Sequence, residues 1–292
     1  MNNIEKLYRA GIVSADSEVI HNRRNTILKS NKDHIVYRVS EGKIQDDTPQ
    51  DVAYSHDLSW QIAQSSNAVL SPLNAKPIIY DEFIVSQYSL ADPEIDKCST
   101  QEFVKLLGRA ANIAVGHLAK LRKLNVYDYV RDRLELSTSN DAAHLRKWLQ
   151  YYYQAHSEEY AATISDCATG FVHGDLHSNN IVKHEGMLKL IDLDSASSGP
   201  PSYDLATWHL RYLSGDDRLV DVQAMVDTVK NEEEWNDSLY QAMIGWKTLS
   251  SMSYLLLNYE NYPDFKYRVT NIKNVLSTYA RRYHHQEIVF NE

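Results

Sequence analysis

At 292 residues the chain has room for one large domain or two modest lobes. A 43% hydrophobic and 24% charged composition is ordinary for a soluble globular protein, and no apolar run reaches the length that spans a bilayer. The formal net charge of −9 speaks against a general affinity for nucleic acid or anionic membrane, and it is compatible with a cationic small substrate. Two cysteines, Cys98 and Cys167, make neither a disulfide framework nor a cysteine-rich metal site. The start MNNIEKLYRAGIV has no basic n-region followed by an apolar h-region, so the expected location is the cytoplasm, with both thiols reduced.

The first 90 residues predict a small β-rich unit with one inserted helix. A short helix over residues 3–10 is stopped by Gly11. Strand-like runs follow at 19–20, 26–29 and 34–39, the latter two joined by a turn over 30–33. Leu58 and Ile62 lie four apart on one face of a helix over about 51–64, and two more strands are predicted at 77–80 and 84–88. From residue 99 the pattern becomes helical. Ser99 and Glu102 have capping-box spacing, and an apolar stripe runs from Phe103 to Leu121. A second helix begins near residues 140–141 and carries Leu145, Trp148, Leu149 and Tyr152. Strands at 180–183 and 187–191, separated by Glu185-Gly186, form a hairpin inside this helical region, and helices follow at about 202–213, 235–258 and 264–282. The fold class is therefore α+β, in two lobes: a nucleotide-binding lobe over 1–90 and a larger helical lobe over 91–292.

The hairpin and the loop before it carry the chemistry. Asp175 and Asn180 are five residues apart, and the hairpin returns Asp192 beside Asn180. A carboxylate and an amide oxygen so paired are hard donors suited to Mg²⁺, with positions left for phosphate oxygens and water. Asp175 is placed to orient a hydroxyl and accept its proton. Phosphoryl transfer asks for little else: positioning, charge neutralisation and a base.

His173-Gly-Asp-Leu-His-Ser-Asn-Asn180 resembles the catalytic loop of aminoglycoside phosphotransferases and their relatives, including choline and sugar kinases. Ile191-Asp-Leu-Asp194 is similar to their metal-binding segment, and Gly199-Pro-Pro-Ser-Tyr-Asp204-Leu-Ala206 to the segment whose aspartate braces the loop. The resemblance implies a bilobal protein-kinase-like fold of the aminoglycoside phosphotransferase type. It implies transfer of the γ-phosphate of ATP or GTP to a hydroxyl of a sugar, aminoglycoside or amino alcohol, with Mg²⁺ as cofactor. It makes Asp175 the catalytic base, Asn180 and Asp192 the metal ligands, and His173 and Asp204 the residues that hold the loop in shape. His177 has a loop-packing role, and Asp194 either touches metal or substrate or is structural.

By position in such a fold, Arg38 is the strand cation for the α- and β-phosphates, and Asp57 is its acidic helix partner, with Asp51 behind it. The lobe connection, where main-chain groups meet a purine edge, falls at Gln87-Tyr88-Ser89-Leu90. The turn with Arg23 and Arg24 either faces phosphates or is an exposed basic turn. Trp208, His209, Arg211 and Trp246 are the acceptor-side candidates, with core or surface packing as the alternative.

Other chemistries lack their full signatures. Asp175-x-His177-x-Asn179 also fits the first metal motif of binuclear metallophosphoesterases, but the later G-N-H-[DE] and G-H-x-H motifs are absent. There is no G-x-x-x-x-G-K-[ST] and no G-x-G-x-x-G. Gly174 stands where protein kinases carry arginine. A non-catalytic nucleotide-binding protein on the same fold is the remaining alternative, motivated by the missing glycine loop and by Arg38 in place of lysine.

Overall fold

The computed structural model describes residues 3–22, 25–41, 49–118, 121–137, 143–165, 167, 169–231, 236–258, 260 and 264–284. Among these, no helix is long and apolar enough to cross a membrane. The chain begins with α1 (Asn3–Arg9), β1 (Glu18–Asn22), β2 (Thr26–Ser30), β3 (Ile35–Glu41), α2 (Pro49–Ser65), β4 (Ile78–Tyr80), β5 (Phe83–Ser89) and α3 (Thr100–Ala111). It continues through β6 (Arg122–Lys123), α4 (Val126–Leu136), α5 (Ala143–Ser165), β7 (Gly170–Val172), β8 (Ile181–His184), β9 (Met187–Leu190) and β10 (Ser197–Gly199). It ends with α6 (Ser202–Ser214), α7 (Val222–Val229), α8 (Asp237–Leu257) and α9 (Phe265–His284). The α+β class read from the sequence is the one observed.

Two compact units are present. The first joins Met1–Leu121 to Asn179–Ala196, and the second joins Arg122–Ser178 to Ser197–Glu292. The expected division at residue 90 differs from this grouping for two segments, because both pack on the first unit. Arg109 of α3 donates to the Leu188 carbonyl of β9 at 2.8 Å, and Asp92 exchanges backbone hydrogen bonds with Lys183 of β8 at 2.9 and 2.8 Å.

In the first unit an antiparallel sheet runs in the order β1-β2-β3-β5-β4. Strand periodicity splits its side chains between two faces. Leu28, Tyr37, Val39, Phe83 and Val85 share one face and pack with Leu7 of α1 and Val13. Arg38, Ser40 and Ser86 lie on the other, where Arg38 is paired with Ser86 in register and α2 packs against β5. The N-terminal segment is fastened by Asp16, whose carboxylate accepts from Ser14 Oγ at 2.6 Å and from Ser30 Oγ at 3.1 and 3.0 Å.

The capping box at α3 forms as expected: Ser99 N–H donates to Glu102 Oε2 at 2.8 Å, and Glu102 N–H to Ser99 Oγ at 3.3 Å. The helix is shorter than its apolar stripe. Asn112 caps it by donating its side-chain amide to the Gly108 carbonyl at 2.9 Å, and Ile113 and Leu118 are buried beyond the helix end.

The second unit is helical around α8, which packs against α4, α5, α6 and α9. Trp208, Tyr240, Met243, Trp246 and Leu249 are buried there. A three-stranded sheet, β6-β10-β7, lies at the base of the loop that follows β7. The short strands β6, β7 and β10 and the helices α4 and α7 were not foreseen, being too short or too weakly periodic to stand out from their flanks.

Candidate active site

In the first unit, strand alternation turns Arg38 away from the apolar face that Tyr37 and Val39 occupy. Its guanidinium is nearly buried, at 9% exposure. Nη2 lies 3.3 Å from Asp192 Oδ1 and donates to Asp194 Oδ2. The Asn25 amide, with its oxygen toward the guanidinium, accepts from Arg38 Nε at 3.2 Å and donates to Ser40 Oγ at 2.6 Å. Burial pulls the guanidinium pKa down, but the fields of Asp192 and Asp194 outweigh it and keep Arg38 charged.

The expected ion pair with Asp57 does not form. Neighbouring helix residues point about 100° apart, and it is His56, not Asp57, that α2 turns inward. Asp57 is exposed. His56 is 2% exposed, with Nε2 at 2.9 Å from the Asn74 carbonyl and Nδ1 at 2.8 Å from Ser86 Oγ. The carbonyl requires a proton on Nε2, so Nδ1 accepts from the serine, and burial pushes this histidine's pKa down. Asp192 and Asp194 take the place that a helix carboxylate was expected to fill. The side chain of Asp51 and the residues Arg23 and Arg24 lie outside the described residues.

The hairpin forms as its sequence predicts. Glu185 and Gly186 adopt φ of 50° and 77°, the left-handed pair that a two-residue hairpin turn requires. Ile191 N–H donates to the Asn180 carbonyl at 3.0 Å, which sets the ends of the two strands side by side. Asp192 follows with φ 63° and opens the one-turn helix Leu193–Ser195. An amide oxygen from Asn180 and the half-exposed carboxylate of Asp192 are hard donors that fit Mg²⁺. Ser89 ends β5 opposite Ile35, and Leu90 N–H is committed to the His34 carbonyl at 2.8 Å.

In the second unit, the loop after β7 is organised by two carboxylates. Asp204, in the first turn of α6, accepts from His173 N–H at 2.7 Å and from Gly174 N–H at 2.9 Å. Gly174 takes φ 84°, which lets the loop reverse there. Burial raises the Asp204 carboxyl, and His173 and the two N–H groups oppose that. Asp217 was not singled out in the sequence. It accepts from Ser178 N–H and Oγ, both at 2.7 Å, and from Trp208 Nε1 at 2.9 Å. It follows a Ser-Gly-Asp helix end, and nothing in that composition distinguishes it from a surface turn.

Asp175 projects from this braced loop with its side chain 38% exposed. Arg211 Nη2 donates to its Oδ1 at 2.8 Å, Lys247 Nζ lies 3.7 Å from the same oxygen, and His177 Nε2 is 3.7 Å from Oδ2. Lys247 also donates to the Gly174 carbonyl at 3.4 Å and lies over the Tyr203 ring. Burial raises the Asp175 carboxyl, but Lys247, Arg211 and the two histidines outweigh it and hold it well below the usual carboxylate range. His177 goes the opposite way from a simple ion pair. Burial and the Arg211 field lower its pKa to about 4, so it is neutral at pH 7.

Of the acceptor-side candidates, Arg211 alone is seen at Asp175. Trp208, His209 and Trp246 are buried in the helical core, His209 being held by Tyr240 at 2.7 Å and Gln223 at 3.1 Å. Lys247 was missed because a lysine inside an apolar helix reads as an exposed interruption of the pattern.

Comparison with known proteins gives a family match for part of the chain and a shared fold for nearly all of it. Residues 101–232 match the model of the Phosphotransferase enzyme family. No curated protein sequence matches the chain. Among solved structures, amicoumacin kinase hAmiN, in complex with AMP-PNP, Ca²⁺ and Ami, is 12% identical with a TM-score of 0.66, covering 94% of this chain and 93% of its own. Choline kinase LicA from Streptococcus pneumoniae is 15% identical with a TM-score of 0.65 over 95% and 100% of the two chains. A thermostable mutant of aminoglycoside phosphotransferase APH(4)-Ia is 12% identical, with a TM-score of 0.62 over 94% and 98%. The resemblance read from the catalytic loop is thus carried by the family match over residues 101–232, and the chain has the fold shared by aminoglycoside phosphotransferases and choline kinases.

Proposed function

We propose that the chain is a small-molecule O-phosphotransferase that uses MgATP or MgGTP. The observation that carries this reading is the Asp204 brace. One carboxylate accepts the consecutive N–H groups of His173 and Gly174 and so sets the direction in which Asp175 leaves the loop. Asp175 accepts the hydrogen bond of the acceptor hydroxyl and aims its oxygen. The acceptor's oxygen–phosphorus bond forms as the γ-phosphorus parts from the β–γ bridging oxygen; the hydroxyl proton passes to Asp175 and a nucleoside diphosphate leaves. With its pKa depressed, Asp175 is a weak base, so orientation comes first and proton uptake late.

Asn180 and Asp192 are the residues that would hold Mg²⁺, which would supply positive charge to the phosphate oxygens. Arg38 offers its planar fork to the same phosphates. Ser89 and Leu90 line the purine edge with main-chain groups, Leu90 through its carbonyl, since its N–H is already taken. Solved structures of similar fold contain AMP-PNP with Ca²⁺, ADP with hygromycin B, and ADP with streptomycin. They support a nucleotide and a hydroxyl-bearing acceptor as the two substrates. The test is nucleoside diphosphate release with MgATP and MgGTP across sugars, aminoglycosides and amino alcohols. Asp175→Asn is expected to lose about 10³-fold in kcat with nucleotide binding retained; turnover equal to wild type would sink the mechanism.

A second reading, a non-catalytic nucleotide-binding protein, is favoured by one observation. Arg38 is already neutralised by Asp192 and Asp194 within its own unit. A melting-temperature rise with MgATP, without transfer to any acceptor, would select it.

A further inference from the structure

Helix α8 packs at the centre of the second unit, and Lys247 lies in the middle of it. Its neighbours Trp246, Thr248 and Leu249 are fully buried, and Lys247 itself is 8% exposed. An ammonium held that deep gives up most of its hydration. Burial accordingly lowers its pKa, and Asp175 opposes the shift. An apolar side chain would fill the same space without that loss. What the lysine gains lies at the loop after β7. Its Nζ donates to the Gly174 carbonyl at 3.4 Å, lies 3.7 Å from Asp175 Oδ1 and sits over the Tyr203 ring at 5.9 Å.

Those contacts bear on the direction of Asp175. Gly174, the residue before it, is gripped at both of its main-chain polar groups. Its N–H goes to Asp204 of α6 at 2.9 Å, and its carbonyl receives Lys247 of α8. On the carboxylate, Arg211 of α6 donates to Oδ1 at 2.8 Å, and Lys247 approaches the same oxygen. Arg211 is one-third exposed on a long stem, and an ion pair of that kind restrains its partner weakly. The Lys247 side chain is nearly buried, so the packing of α8 fixes its stem and it does not follow Asp175 when the carboxylate turns. We propose that Lys247 is a positioning residue for phosphoryl transfer: it holds the Gly174 carbonyl and the Asp175 carboxylate against one fixed ammonium, so that Asp175 meets the acceptor hydroxyl in a single orientation. It acts through Asp175 and not on the acceptor. The proposal rests on the phosphotransferase reading, and it sets the needs of turnover ahead of stability at this one core position.

The test compares Lys247→Met, an apolar side chain of similar length, with Lys247→Arg, which keeps the charge. Each is made in the full chain, in the wild-type background and in Asp175→Asn. Thermal melts are paired with kinetics on MgATP and on whichever sugar, aminoglycoside or amino alcohol the wild type phosphorylates fastest. Lys247→Met is expected to melt at or above the wild-type temperature, since it removes a buried charge and leaves Asp175 its pair with Arg211. Its kcat should nevertheless fall by about 10²-fold, with KM for both substrates within about twofold of wild type. Lys247→Arg should keep more of kcat than Lys247→Met. In the Asp175→Asn background the same Lys247→Met change should cost less than about threefold, because no carboxylate remains to be aimed. An equal loss in both backgrounds, a loss carried by KM, or a fall in melting temperature large enough to account for the lost activity would each overturn the proposal, as would unchanged kcat. Those outcomes leave the phosphotransferase reading standing. A wild type that phosphorylates no acceptor removes that reading, and the role of Lys247 with it.

Discussion

Arg38 of β3 donates to the carboxylate of Asp194, a residue 156 positions further along the chain, and the pair joins the polar face of the N-terminal sheet to the turn after the hairpin. Both side chains are largely buried, at 10% and 17% exposure. Removing one partner leaves a buried charge behind, whereas removing both does not. Asp194→Ala is therefore expected to cost about 3–5 kcal/mol in urea unfolding, and the double change Arg38→Met with Asp194→Leu markedly less than the sum of the two single changes. Additive losses would show that the pair is not coupled.

The Asp175 carboxyl lies well below its ordinary range, so it stays ionised when pH falls from 8 to 5. The pH profile of kcat/KM should show no acid limb from Asp175 in that range. In the folded state its pKa is depressed, so its contribution to stability is present above about pH 4 and is lost as pH falls further. Arg211→Gln removes one of the fields that depress it, and an acid limb should then move up toward the carboxylate range.

His177 makes a prediction of the same sign in a higher pH window. Its folded pKa is about 4 against an ordinary value of 6.5, so the unfolded chain binds the extra proton first. The stabilising effect is full above pH 6.5 and is lost as pH falls toward 4, to a maximum of about 3 kcal/mol. Unfolding free energies measured from pH 7.5 to 4.5 should show this slope, and His177→Asn should flatten it.

The two loop carboxylates can be told apart. Asp204→Asn keeps the shape but offers only one oxygen to two N–H donors. It should lower kcat by about 10²-fold or more through a misdirected Asp175. Asp217→Asn acts on Ser178 and Trp208 instead, and should cost about 1–3 kcal/mol of stability with a smaller effect on kcat. Equal effects of both changes on kcat would argue that the loop is braced as a single unit.

Gly199 of β10 has no room for a side chain. A Cβ there would sit 2.9 Å from Leu124 Cβ, next to the hydrogen bond of Leu124 N–H to the Ser198 carbonyl at 2.8 Å. Gly199→Ala should destabilise the chain by about 1–3 kcal/mol, read as a lowered melting temperature. Leu124→Gly in the same background, which removes the Cβ that the new side chain meets, should lower the further cost of Gly199→Ala.

Much of this was legible because local rules and tertiary needs coincide. The hairpin with Glu185-Gly186, the capping box at Ser99 and the positions of the five strands along the chain each follow from spacing and turn chemistry alone. The loop after β7 was legible as a motif, and the Asp204 brace on His173 and Gly174 is the part of it that the structure shows. What failed depended on direction rather than spacing. Asp57 and His56 are neighbours in sequence, and only the rotation of α2 decides which one faces the sheet. Asp194 was seen but not as the partner of Arg38, because a side-chain ion pair across 156 positions leaves no local signal. Arg211 and Lys247 converge on Asp175 from two helices, and no pattern within either helix announces it.

Strand β3 carries a consequence of a different kind. Its residues alternate between a face sealed by α1, with Ile35, Tyr37 and Val39, and a face that holds Arg38 and Ser40. A library of all single substitutions along this strand would therefore read as an interleaved record. One set of positions would report abundance alone and accept any apolar residue of similar volume. The other would report charge and polar pairing, losing abundance wherever Arg38 is replaced and Asp194 is left buried without it. A few consecutive codons would thus separate positions that answer to side-chain volume from positions that answer to charge.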